Sequence, residues 1–124
     1  MDKPIWMDAP EPHDFDAARH YLGLVLALEL ADTLVARLRT SPMQFFQAKD
    51  LLRASQLPLL GRDNEHVKSD FHKVDNGTLL SPVLLVRGRV GSYPLLVADG
   101  YHRICASYHL DENTPIPCGI ADMP

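Results

Sequence analysis

Asp99, Gly100, Tyr101, His102 and Arg103 bring a carboxylate, a backbone hinge, a phenol, an imidazole and a guanidinium together in five consecutive positions. An apolar run, Leu95-Leu96-Val97-Ala98, precedes them, and a helical pattern follows. The first backbone N–H groups of a helix have no partner in the helix and sit at the positive end of its dipole, so such a corner attracts anions. Gly100 allows close approach of a phosphate, Arg103 offers a two-pronged donor and His102 a further one. The spacing predicts a phosphate site. Its plain alternative is a strand–glycine–helix corner with Arg103 solvated and His102 packed, because a short glycine turn is a weak motif by itself.

Several elements must hold that turn in place. Residues 82–87 and 94–98 are apolar, β-branched runs joined by a glycine-containing loop, which predicts a hairpin. Arg87 and Arg89 flank that loop, where solvation is the default. Residues 101–110 form a helix with Ile104, Cys105 and Tyr108 inward, and a last strand covers 116–120. Upstream, Asp63 or Asn64 caps a helix over 65–74 that Asn76-Gly77 ends through a left-handed residue. Residues 43–48 stay open between a short strand and a helix begun by Ser41, Pro42 and Gln44. Residues 14–39 repeat apolar positions at three and four, predicting one long helix capped by Asp14 or Asp16. Leu24, Leu26, Ala27 and Leu30 widen its stripe beyond one face, so something must cover it. The candidates are the 1–13 lead-in, with Ile5 and Trp6 as plugs, and the same helix of a second copy; the homodimer is favoured.

Asp99-Gly100-Tyr101-His102-Arg103-Ile104-Cys105-Ala106, followed by Ile116-Pro117, resembles the signature of the ParB/sulfiredoxin superfamily. The similarity reaches upstream through residues 66–74, Gly77 and Pro82-Val83, and covers about residues 43–121. It implies an α+β fold, a small mixed sheet flanked by helices, here with an added long N-terminal helix. It divides the chain into an N-terminal extension (1–40) and a ParB/sulfiredoxin-like domain (41–124) forming one compact unit. It also implies a site for nucleotide phosphates. Gly100, His102 and Arg103 match the turn that holds ATP phosphates in sulfiredoxins, with Tyr101 inside it, and Ser69 matches a phosphate-contacting serine. His66 and Lys73 fall where sulfiredoxins carry a basic and a hydroxyl residue. The implied ligand is a nucleoside triphosphate with Mg²⁺, or another phosphorylated small molecule.

The departures matter as much. Tyr101 stands where sulfiredoxins place their catalytic cysteine, and a phenol cannot form a thiosulfinate, so sulfiredoxin activity is not expected. ParB-type partition proteins follow this domain with a helix-turn-helix region that the present sequence does not carry, so centromere binding is not expected either. Free-serine kinases of the superfamily carry Asp-Gly-His-His-Arg, which Asp99 to Arg103 matches at all but the third position. There the aspartate is a base or magnesium ligand, and Asp63 or Glu65 would have to supply the second carboxylate. The expectation is a nucleotide- or phosphate-binding module, with a small-molecule kinase or ATPase using Asp99 as the alternative. A structural protein with no ligand comes third.

Composition sets the outer bounds. The chain has 124 residues, a net charge of −4 and only two cysteines, which fit one globular domain in a reducing compartment. Residues 1–39 hold four Lys/Arg against seven Asp/Glu, and residues 104–124 hold three acids and no base. With a pI near 5.8, broad nucleic-acid binding is disfavoured, since such binders concentrate basic charge. The longest apolar stretch is closed by His20 and Glu29 and is too short for a membrane span. No secretory leader is legible, so a cytoplasmic location is expected. His102, Cys105 and His109 share one helical face, but a fourth ligand would have to be Cys118, and no metal site is expected.

Overall fold

Val83-Leu84-Leu85-Val86 is apolar at every position, and all four side chains are buried. A strand with no polar alternation must be covered on both faces, and this one is. Val83 and Leu85 point into one core cluster, and Leu84 and Val86 into the other. The computed structural model describes residues 2–124 and arranges them as α1 (Pro12–Val25), α2 (Leu28–Thr40), β1 (Gln44–Gln47), α3 (Ala48–Ser55), α4 (Glu65–Asp75), β2 (Val83–Val86), β3 (Leu96–Asp99), α5 (Tyr101–Leu110) and β4 (Pro115–Ala121). The sheet order is β1-β4-β2-β3, with β2 and β4 parallel and the other pairs antiparallel. The fold is α+β, a small mixed sheet flanked by helices.

Helices α3, α4 and α5 cover one face, burying Leu51, Val67 and Ile104 with Val83, Leu85, Val97 and Ile116. Helices α1 and α2 cover the other, burying Leu22, Leu34 and Leu38 against Leu84, Val86 and Ala98. The N-terminal segment therefore supplies one side of the sheet's own core. Both cysteines are buried and unpaired. Among the described residues, no helix is long and apolar enough to cross a membrane.

The single long helix expected over 14–39 is two helices. Leu26 (φ −135°, ψ 162°) and Ala27 (φ −58°, ψ 143°) leave helical geometry, and the chain reverses there. The reason is length. A straight helix over those residues would run about 39 Å, whereas β4, the longest strand with 7 residues, spans about 23 Å. Breaking the helix lets Ala18 and Leu22 pack on the same sheet face as Ala31, Leu34 and Val35. The wide apolar stripe is thereby divided. Leu26 and Leu30 pack against the core, while Tyr21, Leu24, Val25 and Leu28 stay exposed near the corner. The lead-in does not plug it: Trp6 bridges to Leu80 and packs on the opposite cluster, and Ile5 is exposed.

Two capping expectations change as well. Glu11 is the N-cap of α1 with Pro12 at the first helical position, and Asp14 completes the capping box by accepting from the Glu11 N–H at 2.8 Å. Ser41 closes α2 rather than opening a helix, donating to the Arg37 carbonyl at 2.9 Å. Residues 44–47 are then free to pair with β4, which settles the open segment as a strand.

Candidate functional site

The corner between β3 and α5 is built around one backbone angle. Gly100 has φ +108°, and a Cβ there would stand 2.8 Å from Val83 Cγ2 and 2.9 Å from Arg103 Nη2. Only glycine fits both the angle and the space. No side chain caps α5, so its first N–H groups are left to a ligand or water. By contrast, α4 is capped by Asn64, whose side-chain oxygen accepts from His66 N at 2.9 Å and Val67 N at 3.2 Å.

A polar cleft of about 200 Å³ opens at this corner. Helix α4 lines one wall with His66, Ser69, Asp70 and Lys73. The α5 corner lines the other with Asp99, Gly100, His102 and Arg103. The His66 and His102 rings lie 4.5 Å apart between centroids. Burial, followed by the neighbouring His66, holds His102 below the usual histidine range, which favours a neutral ring at pH 7. Asp70 is buried with Lys73 Nζ 3.9 Å away. Burial pushes its carboxyl up, and Lys73 chiefly opposes that rise.

Arg103 does not present the open fork that its position suggested. Its Nη2 donates to Asp99 Oδ2 at 3.0 Å and to the Pro82 carbonyl at 3.3 Å. Its Nε is buried without a partner, an unusual state for a guanidinium. Asp99 is itself pushed above the ordinary carboxylate range by burial, drawn back by Arg103 and raised further by the charge of the neighbouring Asp14 carboxyl. Asp14 is buried on α1. The N-terminal segment thus places a second carboxylate behind Asp99.

No protein-family model, curated protein or solved structure matches this chain.

Seven of the eight expected residues, His66, Ser69, Lys73, Asp99, Gly100, His102 and Arg103, therefore line one cleft. Tyr101 does not. Its phenol donates to the Pro58 carbonyl and its ring packs against the α3–α5 core, so only its backbone remains at the turn. Asp63 and Glu65 are exposed and outside the cleft, so neither is the second carboxylate. The sequence marks Asp14 only as a candidate helix cap, and neither Asp14 nor Asp70 as a site residue. Asp14 had a legible signal, because Asp14, Ala18 and Leu22 recur every four positions and all are buried. That spacing puts a carboxylate on an apolar face, where it needs a partner.

Among the described residues, His102, Cys105 and His109 are not gathered into one group of ligand atoms. Cys105 is core, His109 Nε2 contacts the Leu60 carbonyl at 2.7 Å, and the Cys118 thiol is pushed up to about 12 by burial. Among the described residues, the one group of three ligand-type side chains within 4.8 Å is Glu11, His13 and Asp14. Glu11 and Asp14 already serve there as the reciprocal cap of α1.

Proposed function

We propose that this chain binds a phosphorylated small molecule or nucleotide in the cleft, as a binding or regulatory module. The observation that carries this reading is the uncapped start of α5 behind Gly100, set in a small polar cleft with Lys73, Ser69 and a close, tilted histidine pair. Backbone N–H groups and the helix dipole receive the phosphate. Lys73 and the ring nitrogens of His66 and His102 extend the donor set. The resemblance to the ParB/sulfiredoxin superfamily supports the same choice. Magnesium ions are commonly held by one or two carboxylates together with substrate phosphates. Asp70 and Asp99 are the cleft carboxylates of the right type.

Thermal unfolding with ATP, CTP, GTP and ADP, each with and without Mg²⁺, tests the reading. A ligand at 100 times its Kd stabilises the fold by about 2.7 kcal/mol, near 10 °C in Tm for a chain of this size. Lys73→Ala should reduce the shift. A flat response to every nucleotide and to inorganic phosphate removes the reading.

A second reading, phosphoryl transfer, rests on Asp99, a largely buried carboxylate that lines the cleft. A carboxyl whose proton affinity is raised by burial and a neighbouring acid is suited to take a hydroxyl proton as that oxygen attacks the terminal phosphoryl group. The nucleoside diphosphate then leaves. Phosphate release or transfer lost on Asp99→Asn would favour this reading over simple binding.

The homodimer also remains a proposal, with a second copy covering the α1–α2 corner. Leu24 is 86% exposed and Val25 and Leu28 are about half exposed, an arrangement that self-association would bury. Leu24→Glu is the informative change, since Leu26 is half-buried against the core. Light scattering over a dilution series should show a dimer that this change dissociates. A 14 kDa particle at every concentration rules the dimer out.

A further inference from the structure

A second and larger cavity, about 660 Å³, lies at the other end of β2 from the phosphate cleft. Its volume falls within the range of small-molecule sites. Its floor and walls are apolar, with Phe46 from β1, Leu51 from α3, Leu85 from β2, Leu95 and Ile120. The 88–93 connection forms a built wall. Gly88 lies so close to the returning chain that a Cβ would meet Leu95 N and Pro94 C at 2.5 Å. Arg89 N donates to the Tyr93 carbonyl at 2.9 Å, and Leu95 N ties the connection to α3 through the Ala54 carbonyl at 3.1 Å.

Charge separates this cavity from an ordinary apolar hollow. Three arginines stand among its lining residues, Arg53, Arg87 and Arg89, in a chain whose net charge is −4. Arg53 is paired with Asp50 at 3.1 Å and Arg87 with Asp122 at 2.6 Å. Arg89 has no side-chain partner among the described residues. One uncompensated cation therefore borders an apolar chamber. Complementarity calls for a ligand with an apolar body and a single negative group.

We propose that this cavity binds an amphipathic monocarboxylate, its hydrocarbon body against Phe46, Leu51, Leu85 and Ile120 and its carboxylate on Arg89. The site is separate from the phosphate cleft, so either can stand without the other.

Calorimetric titration of the full chain with decanoate and with 1-decanol tests it. Decanoate should bind saturably at one site per chain, about tenfold more tightly than the uncharged alcohol. Arg89→Ala, at an exposed position, should remove about that tenfold preference and leave decanol binding unchanged; Arg89→Lys should recover part of it. Ala54→Trp, on an exposed face of α3 at the cavity mouth, should block both ligands with far-UV circular dichroism and Tm unchanged. Lys73→Ala should bind decanoate as the unaltered chain does. No decanoate binding, equal binding of acid and alcohol, or binding indifferent to both Arg89→Ala and Ala54→Trp would overturn the proposal.

Discussion

Gly100→Ala should lower the free energy of unfolding by roughly 2–4 kcal/mol, the sum of a backbone cost and a packing cost. The backbone cost comes from φ +108°, where a side chain is strained whatever space surrounds it. The packing cost comes from Val83 Cγ2 at 2.8 Å, part of a fully buried side chain that cannot retreat. Arg103 Nη2, at 2.9 Å, is held by Asp99 and Pro82 and has little more freedom. Gly77→Ala supplies the control. Gly77 also has positive φ (+70°), but its Cβ would meet nothing within 4 Å, so that change should cost only about 1 kcal/mol. Urea unfolding of both variants measures the difference. Equal losses would mean that the corner tolerates a methyl group and is not built around glycine.

The parts of the fold legible in sequence are those fixed by short-range rules. The apolar run of β2 marks a strand, and the pair Asp63-Asn64 marks the start of α4, of which Asn64 is the cap. The α5 corner was legible because a strand, a glycine and a helix are contiguous there. The break at Leu26–Ala27 was not legible, since local pattern favours continuing the helix and only the length of the sheet opposes it. The settling of residues 44–47 as a strand likewise depends on β4, which arrives from the far end of the chain.

The site shows the same division more sharply. Spacing along α4 and the α5 turn is enough to gather His66, Ser69, Lys73, His102 and Arg103, once the two helices pack together. What spacing does not carry is where a long side chain spends its hydrogen bonds. Arg103 turns back to Asp99 because an adjacent half-buried carboxylate and a backbone carbonyl offer acceptors that desolvation makes valuable. Tyr101 turns away because the Pro58 carbonyl gives its hydroxyl a partner while its ring stays against the core. The packing of α1 on β3, which brings Asp14 near Asp99, joins distant parts of the chain, and neither stretch contains a local sign of the other.

Because Arg103 is committed to Asp99, Arg103→Ala should weaken more than ligand binding. We expect a loss of roughly 1–3 kcal/mol of stability at neutral pH, since a largely buried carboxylate keeps its desolvation and loses its charged partner. Arg103 and Asp99 expose only 17% and 18% of their side chains, so solvent screening does not erase the pair. The loss should depend on pH in a definite direction. The Asp99 carboxyl in the folded chain already lies above its ordinary value of 3.8, with burial as the first cause, and Arg103 is the group drawing it down. Between 3.8 and that folded value the native state holds more protons than the unfolded chain, so stability falls as pH rises through the interval. Removing Arg103 raises the folded value further and extends the interval upward. The deficit of Arg103→Ala should therefore be smallest in acid, where Asp99 is protonated in both states, and should grow with pH until Asp99 is ionised in the folded variant. Urea midpoints of wild type and variant across pH 4 to 8 measure it. Asp99→Asn on the Arg103→Ala background should flatten the pH dependence, because an amide has no proton to release. A deficit that is constant with pH, or largest in acid, would show that Arg103 stabilises the corner through its Pro82 hydrogen bond and packing rather than through Asp99.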